Sequence, residues 1–61
     1  MKIRQLFKKN QTVRISKGFF ANKSGKILDM NIPETDNMPR YQILLDKGWK
    51  VWIDQNEISG E

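Results

Sequence analysis

The segment Gly18-Phe19-Phe20-Ala21-Asn22-Lys23-Ser24-Gly25 constrains the fold more than any other part of the chain. It lies between two apolar, β-branched runs, Val13-Arg14-Ile15 and Ile27-Leu28. Two glycines framing a basic, aromatic loop between such runs predict a strand, a tight loop and a returning strand. The loop brings backbone freedom, two aromatic rings and a lysine together. That combination suits contact with a charged polymer.

The flanking segments carry the period of β structure. Thr12 to Ser16 alternates, placing Val13 and Ile15 on one face and Thr12, Arg14 and Ser16 on the other. Gly25 to Met30 forms the second strand, with Ile27 and Met30 three positions apart. A β-bulge near Leu28 or Asp29 lets both face inward. Arg40 to Asp46 alternates with Tyr41, Ile43 and Leu45 inward. Asp46-Lys47-Gly48 is a hairpin turn in which Gly48 supplies positive φ. Trp49 to Asp54 returns with Val51 and Ile53 inward, leaving Lys50, Trp52 and Asp54 outward. Gln55-Asn56-Glu57 reads as one 3₁₀ turn, after which Ile58 closes the open end of the core. Asn31 to Pro39, with two prolines and little to bury, is an acidic surface loop. Five short strands at this spacing indicate an all-β fold, a small bent barrel.

Residues 1–10 form a basic N-terminal segment ahead of a barrel spanning 11–61. Ile3, Leu6 and Phe7 stand at helical spacing, yet the segment is too short for a stable free helix. A helical turn and a strand docking Ile3 or Phe7 on the barrel both fit. Nothing in it is an apolar stretch of signal-peptide length, and no run of the chain approaches the roughly 20 residues of a membrane span. The expected setting is the cytoplasm, with no membrane contact.

At 61 residues, one domain is the limit. A chain of this size buries only about 60% of its unfolded surface. Cysteine and histidine are both absent, which removes disulfide staples and the usual zinc ligands. Their absence also removes the commonest acid–base and nucleophilic groups, and Ser16, Ser24 and Ser59 have no base partner. No enzymatic activity, cofactor, metal or small-molecule substrate is expected.

Charge is unequally distributed. The first 26 residues carry +8 and no acid, and the remaining 35 carry −4, giving the net +4. A basic half of this kind can hold a polyanion by displacing its counterions. The candidate nucleic-acid contacts are Lys8, Lys9, Arg14, Lys17, Phe19, Phe20, Lys23 and Lys26. The cations would meet phosphates, and Phe19 or Phe20 would stack on a base. One of the two phenylalanines is expected to cover the barrel end and the other to be exposed. Trp52 either packs under Ile3, Leu6 and Phe7 or meets a partner.

The run Val13 to Ile27 resembles a KOW motif, found in SH3-like barrels of the elongation factor NusG and of large-subunit ribosomal proteins. Gly18, Phe20, Gly25, Lys26 and Ile27 match its pattern. Asn22 stands where the motif has a middle glycine, and asparagine tolerates the same left-handed backbone. Ala21 stands where a lysine is common. The resemblance implies a five-stranded SH3-like barrel with a KOW-type loop, and DNA or RNA binding in transcription, translation or genome handling. The same barrel also serves as a protein-interaction module, for instance a small subunit or a phage- or plasmid-encoded modulator of a host enzyme. Val13-Arg14-Ile15 and Leu45-Asp46-Lys47 resemble the SH3-like subunit at the reducing face of photosystem I. A plasmid-borne dihydrofolate reductase family shares the barrel too, but its pore motif Val-Gln-Ile-Tyr is replaced here by Val51-Trp52-Ile53-Asp54.

Overall fold

Alternation of apolar and polar residues becomes a single antiparallel sheet in the computed structural model, which describes residues 4–35 and 37–60. The strands are β1 (Thr12–Ile15), β2 (Ser24–Asn31), β3 (Arg40–Leu44), β4 (Lys50–Asp54) and β5 (Ile58–Gly60). Their order across the sheet is β4-β3-β2-β1-β5. Two 3₁₀ turns, Asp46–Gly48 and Gln55–Glu57, precede β4 and β5. The protein is all-β, with the expected strands and the expected turn before the last one.

The inward positions form the core. Val13, Ile15, Ile27, Tyr41 and Ile43 are fully buried, and Phe7, Leu45, Ile53 and Ile58 nearly so. Met30, Val51 and Phe20 pack against this cluster. The bulge falls where the sequence pattern requires it: Ile27 faces Ile43, but Asp29 faces Gln42, so Leu28 has no cross-strand partner. That extra residue turns both Ile27 and Met30 toward the core.

The sheet stays open, with β4 and β5 as its two edges and no ladder joining them among the described residues. β5 is only three residues long and follows directly on a 3₁₀ turn, so it reaches β1 but not β4. Side chains fill the gap. The Phe7 ring stands edge-on to Tyr41, with centroids 5.5 Å apart at 78°. Its Cε1 lies 3.7 Å from where a Cβ on Gly60 would sit. Phe7 therefore bridges the inner faces of β3 and β5.

Gln55, the one buried polar side chain among the described residues, holds this segment in place. Its Oε1 accepts from the Leu6 N–H at 2.9 Å and from the Tyr41 hydroxyl. Its Nε2 donates to the Arg4 carbonyl at 2.7 Å. The amide thus pairs with residues 4–6 as a neighbouring strand's peptide would. Leu6 stays 62% exposed. Of the residues expected to cover Trp52, Ile3 lies outside the described residues, and Phe7 packs on Tyr41 instead.

Gly25, which frames the β1–β2 loop in sequence, takes no part in its reversal. It lies inside β2 opposite Val13, outside the positive-φ set. A Cβ there would press into the Leu44 carbonyl oxygen and lie 2.6 Å from Ile43 Cγ2. Glycine is needed because β3 passes close by. The reversal itself uses Gly18 at φ 89° and Asn22 at φ 70°.

Candidate nucleic-acid interface

The loop between β1 and β2 is held from inside by backbone hydrogen bonds. Asn22 N–H donates to the Ile15 carbonyl at 2.7 Å, and Ile15 N–H to the Lys23 carbonyl at 2.8 Å. Ala21 N–H reaches Gly18 O, and Lys23 N–H reaches Phe20 O, both at 3.1 Å. Ser16 N–H donates to the Glu57 carbonyl at 2.7 Å, tying the loop's base to the turn before β5. With the backbone fixed this way, the two phenylalanines take opposite roles, as the sequence suggested. Phe20 is partly buried against the core, while Phe19 is 92% exposed. Their rings meet edge to face, 5.0 Å apart at 79°.

A second loop lies beside the first. β2 begins where both β1 and β3 end: Ser24 faces Arg14, and Lys26 faces Leu44. The β3–β4 hairpin therefore meets the β1–β2 loop at the start of β2. Lys47 at φ 68° and Gly48 at φ 78° make the hairpin's turn, closed by Leu45 N–H donating to the Trp49 carbonyl at 2.7 Å. Between the loops lies an open groove of about 300 Å³. Phe19, Phe20 and Trp49 supply its aromatic walls, Leu45 adds apolar surface, and Lys23, Lys47 and Asp46 bring charge. Trp49 is 61% exposed. Two exposed rings, a third partly buried beneath them, and two cations against one acid make a groove suited to flat, anionic ligands.

Of the candidate residues, the structure brings together Phe19, Phe20 and Lys23 in this groove. Lys17 is exposed at the start of the same loop. Arg14 and Lys26 stand on the outer face of the sheet, Arg14 between Ser24 and Ser59, Lys26 between Thr12 and Leu44. Lys8 and Lys9 are elsewhere. Asn10 bonds to the Ile27 carbonyl, and Lys9 Nζ reaches Asp29 Oδ1 at 3.8 Å, further along β2. The loop after Asn31 leaves from the opposite end of the eight-residue β2 to the one that meets the groove. Two acids lie beside the β1–β2 loop, Asp46 in the groove and Glu57, whose Oε2 would lie 3.5 Å from a Cβ on Gly18.

Sequence reading missed Lys47 and Trp49 as site residues. The signal was available: in consecutive antiparallel hairpins, the β1–β2 and β3–β4 loops share one end of β2. Among the described residues, no cluster of acids is placed to hold a metal ion. Nor is any helix long and apolar enough to cross a membrane. Comparison with protein families, curated proteins and solved structures gives no match, so the chemistry of the groove rests on its own side chains.

Proposed function

We propose that this chain is a non-catalytic, cytoplasmic nucleic-acid-binding accessory protein that holds single-stranded DNA or RNA in the groove between its β1–β2 and β3–β4 loops. One observation carries the reading: Phe19, Phe20 and Trp49 line one groove with Lys23 and Lys47. Single strands offer unstacked bases that insert against exposed rings, whereas a duplex keeps its bases stacked and presents phosphates alone. In this account Phe19 and Trp49 stack on bases, and Lys23 and Lys47 meet the phosphates beside them. Phe20 supports Phe19 from below. Arg14, Lys17 and Lys26 add longer-range attraction along the same end and the outer face. The resemblance of residues 13–27 to a KOW motif points the same way. The second reading, a protein-interaction module, draws on Trp52, which is 49% exposed on the outer face and outside the groove.

Titration of labelled single- and double-stranded oligonucleotides at two salt concentrations tests the proposal. Single strands should bind more tightly, with a log–log salt slope near −1.4 for two phosphate contacts at roughly 0.7 each. Lys23→Glu with Lys47→Glu should abolish that binding while leaving the thermal unfolding of the sheet nearly unchanged. Phe19→Ala should weaken it about tenfold, the cost of one stacked base. Absence of binding at low salt, or affinity untouched by these changes, would refute the groove as a nucleic-acid site.

A further inference from the structure

β4 is an edge of the sheet, and its hydrogen-bonding register with β3 is determined at both ends. Leu45 N–H donates to Trp49 O at 2.7 Å, and Gln55 N–H to Pro39 O at 2.8 Å. Between them the pairs run without a shift from Leu44↔Lys50 to Arg40↔Asp54. Antiparallel strands alternate the side to which successive peptide groups point. Val51 and Ile53 therefore pair with β3, and Lys50, Trp52 and Asp54 turn their N–H and C=O groups outward. Among the described residues, no group satisfies that outer row.

We propose that β4 is a self-association edge, at which two copies of this chain pair antiparallel about a twofold axis through Trp52. Charge names the occupant. In the register centred on Trp52, position 50 of one copy faces position 54 of the other. Each Lys50 then meets an Asp54, and the contact occurs twice. A lysine on an edge strand ordinarily discourages such pairing. Here the twofold register supplies the acid that accommodates it. Arg40 Nε already lies 2.9 Å from Asp54 Oδ1 on the β3 side, so the carboxylate would sit between two cations. Both Trp52 indoles project from the same outer face and become cross-strand neighbours, covering surface that one copy leaves exposed. β5, the other edge, has only three residues and no comparable row.

Sedimentation velocity of the full chain from micromolar to millimolar concentration reads this directly, and a concentration-dependent dimer is expected. Lys50→Glu alone and Asp54→Lys alone should each weaken association about tenfold, because each places like charges at both contacts. An equimolar mixture of the two variants restores opposite charges at both contacts and should associate as the wild type does. Thermal unfolding of each variant confirms that it is folded. A chain that stays monomeric throughout overturns the proposal. So does a dimer indifferent to Lys50→Glu, or a mixture no tighter than its components. Neither position lines the groove, so the result is independent of nucleic-acid binding.

Discussion

Gly25 and Asn22 illustrate two ways a single residue can be constrained. Asn22 takes φ 70°, a conformation open to asparagine through its short polar side chain. That requirement was legible from residue type, because asparagine stood where a loop reversal needs left-handed backbone. The constraint on Gly25 comes from another strand. Only the register of β2 against β3 brings the Leu44 carbonyl and Ile43 Cγ2 over its Cα, and register is not written in local sequence. Gly25→Ala should therefore destabilise the fold by about 2 kcal/mol, since the clash is with backbone that cannot swing away. Chemical denaturation measures it. A change near zero would show that β3 does not approach so closely.

The strands were legible because burial on one face imposes alternation, and Tyr41, Ile43, Leu45 and Ile53 all lie inward as the pattern required. The bulge at Leu28 was legible for the same reason, from a break in that period. What local pattern could not supply was the partner of the N-terminal segment. Gln55 looked like one polar residue of a 3₁₀ turn, yet its amide joins Arg4, Leu6 and Tyr41. Openness of the sheet was not legible either, because it depends on how far the three-residue β5 reaches beyond β1. Gln55→Leu removes the three bonds and leaves the Tyr41 hydroxyl buried without its acceptor. A loss of about 2 kcal/mol is expected. Hydrogen exchange should show the Leu6 amide losing protection first, with β1–β3 amides little changed at moderate denaturant. Unchanged protection at Leu6 would contradict the docking role.

Across the whole molecule, charge does not divide into a basic and an acidic end: Asp46 lies in the groove at the start of β2, and Lys9 reaches Asp29 further along it. Lys23 and Lys47 meet at its start, and the Asn31–Pro39 loop leaves from its finish. Charge order along the chain suggested a polarised protein, but not that Lys47 and Trp49, from the acidic half, would complete the groove. Two-dimensional NMR of isotope-labelled protein titrated with a short single-stranded oligonucleotide tests this arrangement most directly. The Trp49 indole N–H and the amides of Phe19, Phe20, Lys23 and Lys47 should shift together, while the Trp52 indole and the amides of Arg14 and Lys26 hold. Shifts confined to Arg14, Lys26, Lys50 and Trp52, or no shift at all, would contradict the aromatic groove as the binding site.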